Sequence, residues 1–165
     1  MIHDWVNQAY ARRFWQMNGA KELLANTYTQ LLASPDAHSF IAIQDEQPIA
    51  LVDVYRVIKD ELGKHIHAAP NDCGLHLLMQ PPRQSRKNQS AELLTAFIRW
   101  YHSFPEAGLL YAEPDEENMA ACMLAEKAGF QFIRKIELPG KTAKLYCIQP
   151  PTNVNDETLS NIGSR

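Results

Sequence analysis

The chain has 165 residues of ordinary globular composition, a length that fits one domain with a single sizeable core. A net charge of -3 argues against a nucleic-acid partner, whose binding face would be basic, and no apolar run reaches the ~18 residues that a membrane span needs. Three scattered cysteines, Cys73, Cys122 and Cys147, offer neither a disulfide framework nor metal spacing, and they read as buried free thiols of a reducing, cytoplasmic setting with no signal peptide.

The spacing of Trp5, Val6, Ala9, Tyr10, Phe14 and Trp15 predicts a first helix over residues 4–17, broken by Asn18-Gly19. A second helix runs from Lys21 to Ala33, where Ser34-Pro35-Asp36 ends it. Strands follow at 39–44 and from Ile49 to about Val57, joined by the turn Asp45-Glu46-Gln47-Pro48. The polar stretch 59–71 reads as a loop, and a third strand spans about Cys73 to Met79. A basic, proline-flanked loop leads into a helix over 89–103 with the apolar stripe Ala91, Leu94, Ile98 and Tyr101. A short strand at 109–112, a helix from Asn118 to Ala128 stopped by Gly129, and strands at 130–138 and 143–148 around Pro139-Gly140-Lys141 complete the domain. Residues 1–149 form one domain, and 150–165 form a polar tail. Helices and strands in this order imply an α/β (α+β) fold, a mixed sheet with helices on its faces.

One ionisable residue stands out. His76 lies inside the apolar strand Asp72-Cys73-Gly74-Leu75-His76-Leu77-Leu78-Met79, immediately before a loop carrying Arg83, Arg86 and Lys87 and a helix N-terminus. A strand, an anion-friendly loop and a helix start can hold a phosphorylated ligand beside a histidine that titrates near neutral pH. Asp53 and Tyr55 alternate with Val52 and Val54, so both face one side of their strand. His38, His65 and His67 have no acid cluster nearby, and no metal site is expected.

Several stretches resemble the siderophore-biosynthesis branch of the GNAT superfamily of N-acyltransferases. They are His3-Asp4-Trp5-Val6 with Phe14-Trp15, Val52-Asp53-Val54-Tyr55 with Asp60, Asp72-Cys73-Gly74-Leu75-His76, Glu113-Pro114-Asp115 with Asn118, and Glu126-Lys127-Ala128-Gly129-Phe130. The resemblance covers about residues 2–148 and implies a GNAT-like mixed, mostly antiparallel sheet flanked by helices, with the usual first strand missing. The bare sheet edge would then be covered by the tail or by a partner subunit in a homodimer.

The resemblance further implies transfer of an acyl group, acetyl or succinyl, from acyl-CoA to the nitrogen of an N-hydroxylated diamine or N6-hydroxylysine. It places His76 as general base and Glu113 as the second catalytic acid. Leu78 or Met79 would supply the backbone donor to the thioester oxygen. Arg86, Lys87, Asn88, Gln89 and Ser90 would form the pyrophosphate loop, with Asn118 also on the cofactor. Asp53, Tyr55 and Asp115 would contact the substrate.

Two departures from the family pattern stand out. Asn88 and Ser90 replace the loop glycines, which implies weaker CoA affinity, although Asn tolerates a left-handed backbone. Ala125 stands where many relatives carry the tyrosine that protonates the leaving thiolate, so that role is unassigned. Two alternatives stay open. One is an aminoglycoside or small-amine acetyltransferase using the acids Asp53, Asp60, Glu61, Asp72, Glu113 and Asp115; the other is a catalytically silent binding module.

Overall fold

The structure, a computed structural model, describes residues 1–81 and 88–151; Arg86 and Lys87, and the tail from residue 152 on, lie outside the described residues. Its sheet starts from a hairpin. Strand β1 (Ala37–Gln44) turns through Asp45 and Glu46, both with positive φ, into β2 (Gln47–Arg56). Two successive left-handed residues make the turn that suits the right-handed twist of a two-residue hairpin. The turn is thus tighter than the four residues expected, and Pro48 is absorbed into the strand at a bulge opposite Ile43. Strand β3 (Cys73–Met79) pairs antiparallel with β2, and β4 (Leu110–Ala112) joins β3 in parallel. Strand β6 (Lys141–Ile148) lies antiparallel between β4 and the outer strand β5 (Gln131–Leu138). The order β1-β2-β3-β4-β6-β5 gives the mixed, mostly antiparallel sheet expected.

The helices are α1 (Ile2–Val6), α2 (Ala9–Trp15), α3 (Lys21–Ala33), α4 (Gln89–Tyr101) and α5 (Met119–Lys127). The single helix expected over 4–17 is therefore two. Gln8 is extended at φ -73° and ψ 151°, which interrupts the helical bonds, and the Asn7 side-chain amide donates to the His3 carbonyl at 2.8 Å instead. Two short 3-10 turns follow β2, Val57–Lys59 and, within the loop 59–71, Glu61–Lys64, the second capped by the Asp60 carboxylate accepting from the Leu62 N–H at 3.0 Å.

Alternation along β2 and β3 sorts the core into two layers. Leu51 and Leu78, a cross-strand pair, sink under α1–α3 with Trp5, Val6, Ala11 and Leu24. Val52, Val54 and Leu75 face the other way, onto Leu94, Ile98 and Tyr101 of α4 and Cys122 and Ala125 of α5. The four stripe residues foreseen on α4 are all buried. Of the three cysteines only Cys122 is fully buried; Cys73 and Cys147 are half-buried free thiols. Asp53 and His76 are cross-strand partners, as are Tyr55 and Gly74, so these four share the α1–α3 face.

Two irregularities position the site. First, β3 and β4 pair only at Cys73 with Leu110 and Gly74 with Tyr111, after which the strands part. Second, Gly74 leaves room for the ring of Tyr55: a Cβ there would lie 2.2 Å from the Tyr55 ring. Gly74→Val is expected to cost roughly 1–3 kcal/mol, read as a lower denaturation midpoint at unchanged m-value.

Strand β1 is an edge strand, and among the described residues no other strand pairs with its outer side. That agrees with a sheet lacking one strand. No helix among the described residues is long and apolar enough to cross a membrane.

Candidate active site

Where β3 and β4 part, a cavity of about 440 Å³ opens, and His76 and Glu113 stand together on its wall. Glu113 follows the last residue of β4, and its Oε1 lies 2.8 Å from Nε2 of His76. The Tyr55 hydroxyl donates to the same oxygen at 3.0 Å. Lys141 donates to the Glu113 main-chain carbonyl at 2.7 Å and lies 3.5 Å from Oε2. Edge-on contact with Trp15 (6.1 Å between centroids) and a tilted contact with Tyr55 (5.0 Å) fix the imidazole plane.

The electrostatics follow from burial and charge. Burial alone would lower the His76 pKa, but the charge and hydrogen bond of Glu113 outweigh it, and the net shift is upward from 6.5. Burial would raise Glu113, yet His76, Lys141 and Tyr55 together pull it down to about 2. Glu113 is therefore a carboxylate, which only accepts hydrogen bonds, so neutral His76 carries its proton on Nε2. Nδ1 is left with a lone pair, and no hydrogen bond engages it among the described residues. The His76 side chain keeps 43% of its surface accessible, enough for a ligand to reach it, while Glu113 keeps 7%.

A pH dependence of stability follows. Glu113 is depressed, so its contribution is present above the unfolded value near 4.5 and fades as pH falls toward 2. His76 is raised, so its contribution is full below 6.5 and fades as pH rises through the elevated folded value. The destabilisation caused by Glu113→Gln should be greatest between those limits, at mildly acidic pH, and thermal melts across pH 3–9 check this.

Hydrogen bonds at the ends of the β2–β3 ladder set its register. Val57 donates to the Asp72 carbonyl, and Gln80 donates to that of Ile49. By the alternation between them, Gly74, His76 and Leu78 direct their N–H groups to β2, whereas Leu75, Leu77 and Met79 direct theirs away from it, toward the gap. Leu78 is thus turned away from the gap, in backbone and in side chain, and the N–H groups available there are those of Leu77 and Met79. The Met79 carbonyl is already taken, by the Tyr10 hydroxyl at 2.5 Å.

The other expected residues divide. Asn88 caps α4 with a left-handed backbone, φ 69°, as expected for a residue standing in for glycine. Ser90 lies in the first turn of α4, and the Gln89 side-chain amide bonds to Gln44 at 2.9 Å. Asn118 and Asp115 line the cavity, and both also cap backbone: Asn118 accepts from Ala121 N–H at 3.2 Å and Asp115 from Glu117 N–H at 2.8 Å.

Asp53 departs from expectation. It sits behind His76, buried, with its oxygens bonded to the hydroxyls of Tyr28 (2.9 Å) and Ser39 (2.6 Å), and it does not line the cavity. Its burial raises its carboxyl pKa against the pull of those hydroxyls. Tyr55 likewise does not line the cavity and meets its wall through Glu113 and the His76 ring. Asp72 is a buried staple, accepting from the N–H groups of Ala69 and Leu109 at 2.8 and 2.9 Å, so it adds nothing to an acidic pocket.

Sequence reasoning missed Lys141, whose only signal was its place after a Pro-Gly turn. It also gave no place to Met17, Leu138 and Pro139, which line the cavity along with Phe14, Trp15, Asp60 and Glu61. The lining also carries the apolar residues Leu77, Leu94, Leu124, Ala125 and Phe130.

The family model described as "Acetyltransferase (GNAT) domain" matches residues 1–138. The N(6)-hydroxylysine O-acetyltransferase of Escherichia coli is 24% identical over 146 residues, 86% of this chain and 45% of that protein, so this chain spans less than half of it. The aminoglycoside N(6')-acetyltransferase type 1 of Klebsiella pneumoniae is also 24% identical, covering 90% of this chain and 76% of that one. Lysine N-acyltransferase MbtK of Mycolicibacterium paratuberculosis is 21% identical over 92% of this chain and 69% of its own length. Among solved structures, the aminoglycoside acetyltransferase AAC(6')-Ib in complex with coenzyme A superposes with a TM-score of 0.82 at 21% identity, covering 90% of this chain and 87% of that chain.

Proposed function

The chain belongs to the acetyltransferase (GNAT) domain family, and on that premise we propose that it moves an acetyl or succinyl group from acyl-CoA to the nitrogen of an N-hydroxylated diamine or N6-hydroxylysine, as in the making of hydroxamate siderophores. The observation that carries the reading is the His76–Glu113 pair facing a cavity at the open edge of β3.

The residues present fit acyl-CoA. The ladder alternation turns the N–H groups of Leu77 and Met79 toward the gap, and the apolar side chains on the cavity wall, Leu94, Leu124 and Phe130 among them, suit a pantetheine arm. The N-terminus of the 13-residue helix α4, entered through the left-handed Asn88, suits a pyrophosphate. His76 Nδ1 is the base. As the nitrogen attacks the thioester carbonyl, its proton passes to Nδ1, the C–N bond forms, the C–S bond breaks, and CoA leaves as the thiolate. Leu77 or Met79 N–H steadies the charge that builds on the carbonyl oxygen. A hydroxylamine is less basic than an alkylamine and is largely neutral near pH 7, so the demand on His76 is moderate.

With Asp53 committed to Tyr28 and Ser39, the far ammonium of a diamine falls to Asp60 and Glu61, against the aromatic wall of Phe14 and Trp15. The aminoglycoside reading draws on the same acids. It is weakened because Asp53 and Asp72 are both buried away from the cavity and because Lys141 places a cation on its wall.

Turnover with acetyl-CoA on N-hydroxycadaverine and on kanamycin separates the two. The proposal expects the hydroxylamine to be the better substrate, and preference for kanamycin would overturn it. Isothermal titration should show binding of acetyl-CoA or succinyl-CoA, and binding of neither would remove the enzyme reading altogether.

A further inference from the structure

We propose that Lys141 is a positioning residue: it locks the Glu113 carboxylate in the orientation that keeps the His76 proton on Nε2 and the Nδ1 lone pair on the cavity. The inference rests on the proposed role of His76 as base.

A carboxylate is nearly two-fold symmetric and can present either oxygen. Here the two are divided. Oε1 takes both His76 and Tyr55, while the side of Oε2 faces Lys141. The lysine grips twice, because Nζ also donates to the Glu113 main-chain carbonyl at 2.7 Å. It thereby pins the backbone at the point where β4 leaves its ladder.

Lys141 does not owe its own place to this ion pair. It opens β6 opposite Leu138, after a turn in which Gly140 takes φ +81°. The start of β6 is stitched to the residues after Glu113 by backbone bonds: Glu116 N–H to the Thr142 carbonyl and Lys144 N–H to that of Pro114, both 2.9 Å, with Asp115 bridging Ala143. Removing the ammonium should therefore leave the strand in place.

An ordinary surface ion pair contributes little to structure. This one joins a side chain 23% exposed to a carboxylate 7% exposed, where screening is weak.

Several charged groups face the imidazole. Asp53 comes from β2, Glu113 from the segment after β4, and Lys141 from β6, with Asp60, Glu61 and Asp115 farther along the cavity wall. Among these, the acids Glu113 and Asp53 raise the proton affinity of His76, and Lys141 lowers it. The lysine thus keeps the base nearer the neutral range while holding its partner still.

The test is a titration of the His76 ring by NMR in the resting protein, wild type against Lys141→Met and Lys141→Arg, with the pH dependence of acyl transfer recorded alongside. In Lys141→Met the His76 pKa should rise by roughly half a unit or more, as expected for loss of a nearby positive charge. The ring nitrogens should report a mixture of tautomers in place of Nε2–H alone, and transfer at neutral pH should fall about 3- to 10-fold. Lys141→Arg should restore all three. An unchanged Nε2–H tautomer in Lys141→Met, whatever happens to titration, activity or melting temperature, would overturn the proposal, as would an unchanged or lowered His76 pKa. Absence of acyl transfer in the wild type would count against the enzyme reading alone, since the ring titration measures the coupling without substrate.

Discussion

Replacing Glu113 by glutamine should shift the rising limb of kcat/KM to lower pH and cut its plateau about 10- to 100-fold. The sign follows from what opposes Glu113 around the imidazole. Burial lowers the proton affinity of His76, and so does Lys141; the Glu113 carboxylate and its hydrogen bond override both. With the negative charge gone, burial and Lys141 prevail, and the His76 pKa should drop below 6.5. The imidazole is then neutral over a wider range of pH but is a weaker base, so the limb moves left as the plateau falls. A limb that stays in place in Glu113→Gln would mean that His76 is not the group being titrated. Asp53 provides the contrast. It is the cross-strand partner of His76 but lies behind it, bonded to Tyr28 and Ser39. Asp53→Asn should therefore perturb the melting temperature more than the pH profile.

The second large effect is expected of His76→Ala, which should slow acyl transfer about 100-fold at pH 7 and remove the rising limb. The loss is bounded because a hydroxylamine nitrogen is already largely neutral there, and because the N–H groups of Leu77 and Met79 and the binding of both substrates are untouched. The fall should appear in kcat more than in KM, since His76 acts on a proton and does not hold the substrate. A larger loss with an alkylamine than with a hydroxylamine would support this assignment, because the alkylamine must shed its extra proton first. Equal losses for both would contradict it.

Much of this arrangement was legible in the chain. Period-two and helical patterns located the six strands and helices α3–α5, most plainly where an element buries a stripe, as β2 and α4 do. Alternation around Asp53 and Tyr55 placed both on one face, and the resemblance brought His76 and Glu113 together before any contact was known. The break between α1 and α2 was hidden because Trp5, Val6, Ala9, Tyr10, Phe14 and Trp15 keep a helical rhythm across Asn7 and Gln8, and neither breaker is Gly or Pro.

Other features depended on tertiary facts. Which of Leu77, Leu78 and Met79 turns an N–H into the gap depends on the register of β3 on β2, and a one-residue slip reverses the answer. That Asp53 is spoken for by α3 and β1, and that Lys141 reaches Glu113 from 28 residues away, are likewise decided only when separate elements meet.

The role of His76 as base of an acyl transfer is tested most directly by mass spectrometry of N-hydroxycadaverine incubated with acetyl-CoA and the wild-type protein, with His76→Ala run in parallel. That role predicts a product heavier by one acetyl group, carried on the hydroxylamine nitrogen, formed rapidly by the wild type and about 100-fold more slowly by the variant. No acetylated product from the wild type, or equal rates from the two proteins, would contradict it.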